Sequence, residues 1–274
     1  MSDLLPRVLS AIVMVALALG ALWLGGRWFV AFWYLAAAAI VWEWLGLIGS
    51  RRRLLSSGFG AAVLAICAGL VVNGALEFAA LTAVCGIVVM GGLEREGKPF
   101  WAASGLAYAA ILLLSVTSLR LSVYEPHGFN SILWLFAIVW GTDILAYFGG
   151  RLIGGPKLWP RVSPSKTWSG FLCGVTGGML AGLIVLLVQL PASQHAWIAF
   201  ILIGFLLGAI SQGGDLLESS IKRHYGAKDA SQLIPGHGGF MDRLDGFIAA
   251  CAAAAVIGLI RGGTANPATG LLLW

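Results

Sequence analysis

The sequence predicts an all-α, polytopic integral membrane protein with about nine transmembrane helices and a cytoplasmic N-terminus. Three observations carry that expectation. First, the 274 residues are 59% hydrophobic and only 11% charged, with a mean hydropathy of +0.90. A soluble domain is about 45–50% apolar and about 25% charged, so the chain has too little charge to cover a water-soluble globule of this size. A cytosolic enzyme, a secreted disulfide scaffold and a disordered chain are excluded. Second, apolar runs near the roughly 20 residues that cross a hydrocarbon core of about 30 Å recur from end to end. Third, the basic residues fall mainly into alternate connections between those runs, as the positive-inside rule requires.

The spans are expected over residues 8–24, 28–48, 58–73, 77–93, 101–119, 131–150, 170–190, 196–213 and 245–260. The first follows Arg7 and superficially resembles a signal peptide, but it is long and another span follows at once, so it reads as a transmembrane helix. The second carries Glu43 between Trp42 and Trp44. The third and fourth are short and nearly contiguous, as in a tight hairpin, and the fourth opens on Glu77. Glu43 and Glu77 read as interfacial acids or as partners of a neighbouring helix. The sixth span holds Asp143 near its inner end. The seventh repeats Gly174, Gly178 and Gly182 at small-xxx-small spacing, which suits close helix packing in lipid. Residues 1–130 read as a scaffold and residues 131–274 as a catalytic region.

With the N-terminus inside, fourteen of the 17 basic residues lie in cytoplasmic connections and only Arg27, Arg120 and Arg261 lie outside. The net charge of +5 therefore reflects basic loops rather than nucleic-acid binding. Cys67, Cys85, Cys173 and Cys251 all sit in apolar runs without a CxxC pair or a Cys/His cluster, and read as small buried hydrophobes.

Charge is concentrated in residues 214–246, which hold Asp215, Glu218, Lys222, Arg223, Lys228, Asp229, Asp242, Arg243 and Asp245. Both signs are mixed, unlike a polybasic lipid anchor. Asp215, Glu218, Ser219 and Lys222 share one face of a helix by their i, i+3, i+4 and i+7 spacing. Asp242 and Asp245 stand three apart at the start of the last span. Carboxylates converging from several helices suit Mg²⁺, and Mg²⁺ suits phosphates. Between them, residues 235–239 read Pro-Gly-His-Gly-Gly, whose glycines allow close backbone approach and an N–H nest for an anion. Lys166, Lys222, Arg223 and Lys228 can neutralise phosphate charge. Acids for a metal, bases for phosphates and a glycine turn together indicate a polyphosphate site.

Residues 220–223 (Ser-Ile-Lys-Arg), Lys228-Asp229 and the run 233–245, Leu-Ile-Pro-Gly-His-Gly-Gly-Phe-Met-Asp-Arg-Leu-Asp, resemble the signature of the phosphatidate cytidylyltransferases, or CDP-diacylglycerol synthases. The resemblance extends to Asp143 with Ala146-Tyr147-Phe148, to Gly150-Arg151, to residues 163–168 (Ser-Pro-Ser-Lys-Thr-Trp), and to Gly214-Asp215 with Glu218-Ser219. It implies an all-helical, multi-pass enzyme of the cell inner membrane, with membrane lipids around it, that joins CTP to phosphatidic acid at the cytoplasmic face. It also implies dependence on Mg²⁺, with room for a second, monovalent cation, and a homodimer. On that resemblance Asp215 and Asp242 lead the metal site, supported by Asp245 and Asp143. Lys166 and Lys222 join Asp215, Asp242 and Asp245 as catalytic residues. Ser163, Ser165, Thr167, Arg223, Lys228, Asp229, His237, Gly238, Gly239 and Arg243 contact the substrates, with His237 a contact of the turn rather than a general base. Two positions depart from the pattern: Ser169 stands where the family usually has Glu, and Ser165 where it often has Lys. No acid is therefore available at the first, and one phosphate contact is missing at the second.

Two other membrane transferases would use paired helix acids, a CDP-alcohol phosphotransferase and a CTP-dependent lipid kinase. The first calls for a D-G-x2-A-R arrangement that the chain lacks. An ion-coupled transporter would call for midplane polar residues and inverted repeats, and neither is evident.

Overall fold

The computed structural model describes residues 4–95, 98–191, 196–234 and 238–274, with side chains from residue 8 onward. Among them the element order is α1 (Leu4–Leu24), α2 (Gly26–Leu47), α3 (Arg53–Val72), α4 (Leu76–Leu93), α5 (Pro99–Arg120), α6 (His127–Leu152), β1 (Lys157–Trp159), β2 (Ser163–Thr167), α7 (Trp168–Gln189), α8 (Trp197–His224), α9 (Met241–Gly262) and α10 (Pro267–Leu272). Eight of these helices, α2 to α9, are long and apolar enough to cross a bilayer, and Val8–Leu24 adds a shorter apolar stretch in α1. The protein is an all-α, multi-pass membrane protein.

Two features were not in the sequence expectation, and a third joins two of its readings. The span expected to end at residue 213 and the helical face expected over Asp215–Lys222 are one helix, α8, which continues to His224. Its polar last turns are sustained by i, i+4 pairs: Ser219 Oγ donates to Asp215 Oδ1 at 3.3 Å, and Lys222 Nζ stands 2.6 Å from Glu218 Oε2. The basic stretch after α6 forms an antiparallel hairpin, β1 with β2, pairing Lys157 with Thr167 and Trp159 with Ser163. A short α10 follows α9, and Arg261 of α9 donates to Gly270 O while its guanidinium lies 3.5 Å from the Trp274 ring centroid.

The chain divides into two units, Met1–Leu121 with His224–Leu244, and Ser122–Arg223 with Asp245–Trp274. The first is built around α2, whose Phe29, Trp33, Ile40 and Trp44 are buried. Trp44 packs on Gly105 of α5, where any side chain would collide with the indole, and its N–H donates to Trp101 O at 2.7 Å. On the neighbouring turn, Arg53 donates to Trp42 O and lies 3.9 Å from the centre of the Trp42 ring. Helix α2 is thereby fixed in rotation on both sides of Glu43.

The second unit is organised by a glycine seam between α6 and α7. A Cβ on Gly174 would come within 2.7 Å of Ala146 Cβ, and one on Gly182 within 2.6 Å of Trp134 Nε1. The order of contacts, early α7 against late α6, makes the pair antiparallel. The small-residue spacing in the seventh span is the packing surface it was expected to be.

Candidate functional site

In the second unit, the acids gather where α8 meets α9. Both helices bring a glycine to the crossing. A Cβ on Gly214 would lie 2.6 Å from Asp245 O, and one on Gly246 would lie 2.6 Å from Ser211 Oγ. The backbones meet because neither carries a side chain, and the adjacent residues, Asp215 and Asp245, are brought together by that approach. Asp245 lies within electrostatic reach of Asp215, Asp143 and Lys166. Its Oδ1 accepts the Gly246 N–H at 2.8 Å.

Lys166 comes from the hairpin. It is the penultimate residue of β2, half-buried, with Nζ 2.5 Å from Asp215 Oδ2. Thr167, expected to position a phosphate, serves the fold as well: its hydroxyl accepts the Gly170 N–H at 3.1 Å and caps α7. Ser169 donates to Gly154 O and lies 3.0 Å from Thr167 Oγ1, so the serine at the departing position ties the end of α6 to the start of α7. Ser163 is half-buried and Ser165 exposed. Lys222 is engaged with Glu218, and both side chains are buried. Arg223 is exposed beyond them.

In the first unit, the segment leading into α9 is ordered by two carboxylates. Asp242 Oδ2 accepts the N–H groups of Ala230 at 2.9 Å and Gly239 at 2.8 Å. Glu43 Oε1 accepts Ser231 Oγ at 2.7 Å and Phe240 N–H at 2.8 Å, and Oε2 accepts Met241 N–H at 2.8 Å. Amides at a helix start have no partner within the helix, and Glu43 supplies one. Gly239 lies against this carboxylate, where a Cβ would stand 2.5 Å from Glu43 Oε1. Gly238 has φ +83° and its carbonyl accepts the Ile234 N–H at 2.7 Å. Of the glycine turn's described N–H groups, that of Gly239 is given to the protein's own Asp242, while Phe240 and Met241, which follow the turn, give theirs to Glu43. Lys228, Asp229 and Arg243 are exposed, while His237 lies outside the described residues.

Glu43 reads from the sequence as a scaffold acid, and its role in the signature segment is not visible there. An acid between two tryptophans in an apolar run was the available signal. It said that the carboxylate needed a partner but not which one. The start of this segment is held by Trp101 of α5: His224 stacks on it at 5.2 Å and Tyr225 meets it edge-on at 5.3 Å. Burial pushes the Tyr225 hydroxyl above the ordinary tyrosine range.

A divalent ion can be tested against these donors. No three Asp, Glu, His or Cys side chains among the described residues form a ready-made metal cage. Mg²⁺ seldom uses one; it commonly takes one or two carboxylates and completes its shell with water and substrate phosphates. Asp215 and Asp245, with Asp143 in reach, supply hard oxygens of the right kind, and a lysine ammonium already neutralises Asp215. The donor chemistry fits Mg²⁺.

The family model described as "Cytidylyltransferase family" matches residues 5–260. The chain is 42% identical over 263 residues to a phosphatidate cytidylyltransferase of Brucella abortus biovar 1 (strain 9-941), the alignment covering 95% of each protein. The same figures hold for the phosphatidate cytidylyltransferase of Brucella suis biovar 1 (strain 1330). A protein of that name from Staphylococcus haemolyticus (strain JCSC1435) is 40% identical over 148 residues, 51% of this chain and 55% of the relative.

Proposed function

This chain belongs to the cytidylyltransferase family, and we propose that it transfers the cytidylyl group of CTP to phosphatidic acid, giving CDP-diacylglycerol and pyrophosphate, at the cytoplasmic face of the cell inner membrane. The observation that carries the reading is the match to phosphatidate cytidylyltransferases along 95% of the chain. The site residues agree with it in chemistry. A phosphate oxygen of phosphatidic acid attacks the α-phosphorus of CTP, the bond to the β-phosphate's bridging oxygen breaks, and pyrophosphate leaves with that electron pair. Phosphoryl-type transfer asks mainly for positioning and charge neutralisation.

Asp215 and Asp245, with Asp143 supporting, would hold Mg²⁺, and Asp242 is the further acid that the signature offers it. When bound, the ion would neutralise charge developing on the phosphate oxygens. Lys166, tied to Asp215, holds a positive charge beside the same carboxylates. Lys222, Arg223, Lys228 and Arg243 are assigned to phosphate binding, and Ser163, Ser165, Thr167, Asp229, Gly238, Gly239 and His237 to positioning the substrates. No side chain needs to act as an obligatory base, because a phosphomonoester with a second pKa of about 6 is already largely deprotonated at neutral pH. A homodimer completes the proposal.

Purified protein given CTP, phosphatidic acid and Mg²⁺ should release pyrophosphate and form a CDP-lipid, with neither product when the lipid or the metal is left out. Transfer of the γ-phosphate of CTP to a lipid alcohol, without pyrophosphate, would assign the chain a lipid-kinase reaction instead.

A further inference from the structure

We infer that Glu43 is a positioning residue for this reaction, acting through the segment that leads into α9 and places Asp242; the inference rests on the cytidylyl-transfer reading above. Glu43 is 0% exposed, near the C-terminal end of an apolar helix. A buried carboxylate is costly unless hydrogen-bonded, and this one takes three donors, all from residues 231–241. None of the three is needed to fasten α2, which Trp44, Trp101, Gly105 and Arg53 already hold. The carboxylate instead fastens the segment.

The segment's donors are divided between two acids. Ala230 and Gly239 donate to Asp242, while Ser231, Phe240 and Met241, their immediate neighbours, donate to Glu43. Both strands of the turn are therefore clamped twice, once by a carboxylate of the segment itself and once by α2. Met241 is bonded directly to Asp242, so a shift of the Met241 amide is passed to Asp242 through one residue. The absence of a side chain at Gly239 is part of the same device, because any Cβ there would displace Glu43. Glu43 touches no substrate on this account. It sets where Asp242 stands, and it should act on turnover rather than on binding.

A double-mutant cycle tests this in the full-length protein. Glu43→Gln keeps the size but puts an amide nitrogen toward N–H donors. It should lower kcat by about 10–10²-fold, the scale of a misplaced catalytic group, with KM for CTP and for phosphatidic acid unchanged. Ser231→Ala, which removes one of the three donors, should lower kcat by less. The double variant should be no worse than Glu43→Gln alone, and Glu43→Asp, which keeps the charge, should retain more kcat than Glu43→Gln. Wild-type kcat in Glu43→Gln, a rise in KM with kcat intact, or losses that multiply in the double variant would each overturn the inference. If Glu43→Gln does not fold, Ser231→Ala and Glu43→Asp decide: wild-type kcat in both refutes it. A wild-type protein without cytidylyl transfer would instead remove the reaction on which the inference rests.

Discussion

Lys166 meets Asp215 across two elements, its Nζ 2.5 Å from Oδ2, and Asp245 lies within electrostatic reach of both. The hairpin supplies the cation and two helices packed glycine to glycine supply the acids. Clustered carboxylates repel one another unless a positive charge stands among them, and Lys166 is that charge in the protein alone. The arrangement gives each residue a separate, measurable consequence.

Asp215→Asn keeps the shape of the side chain and removes the charge that both Lys166 and a hard cation require. Turnover should fall by about 10²–10³-fold, the scale of losing one electrostatic contact to the transition state. The variant should still purify as a monodisperse protein in detergent. Pyrophosphate release across a Mg²⁺ titration is the measurement, and substantial activity at ordinary Mg²⁺ would take Asp215 out of the site.

Asp242→Asn separates the two jobs of that residue. An asparagine oxygen can still accept from Ala230 and Gly239, so the turn should keep its shape and the protein its thermal stability. Without the charge, turnover should be lost as fully as in Asp215→Asn. Activity near wild type would confine Asp242 to ordering the turn.

Two glycines near the site should answer differently to the same substitution. Gly239→Ala would place a methyl group 2.5 Å from Glu43 Oε1, whereas Gly213→Ala, one residue before the glycine that packs on α9, would meet nothing within 4 Å. Gly239→Ala should therefore lose most of its kcat. Gly213→Ala should keep its activity and gain up to about 1 kcal/mol of helix stability. Equal effects in a turnover assay and a thermal melt would mean that the close approach at Gly239 is unimportant.

How much of this was legible in the sequence depended on how local each signal was. Asp143, Lys166, Asp215 and Asp245 stood out because a charge in an apolar chain is conspicuous wherever it lies. The spans were legible for the same reason, since a run of apolar residues is a local property. That the span ending at residue 213 and the helical face at Asp215–Lys222 form one continuous helix was less so, because hydropathy falls at residue 213 although i, i+4 pairing continues α8. Glu43 was harder still. Its partners lie 188 to 198 residues away, and no local pattern announces such a pairing. The hairpin hid in a stretch rich in glycine, proline and basic residues, where two short strands leave no alternating apolar pattern.

Thr167 can be assigned to the fold or to the substrates by one pair of variants. As the cap of α7 its hydroxyl accepts the Gly170 N–H, and loss of such a cap costs about 0.5–2 kcal/mol. Thr167→Ala should melt at a lower temperature, while Thr167→Ser, which keeps the oxygen, should not. A raised KM for CTP in Thr167→Ala, with stability unchanged, would show that the hydroxyl works on the substrate rather than on the helix.

With the N-terminus inside, fourteen basic residues face the cytoplasm and three face outward, a division that an opposite orientation would invert. CTP is a charged nucleotide and must reach its site from the side where it is made. Residues 225–240 should accordingly be cytoplasmic, and the connection between α5 and α6 periplasmic. Val123 and Gln232 are both exposed positions in those two connections. In a variant with Cys67, Cys85, Cys173 and Cys251 replaced by alanine, Val123→Cys should react with a membrane-impermeant maleimide added to cells whose inner membrane is intact. Gln232→Cys should react only after that membrane is opened. Labelling of Gln232→Cys in sealed cells would put the signature segment on the wrong side for CTP, and the proposed cytoplasmic reaction would fail with it.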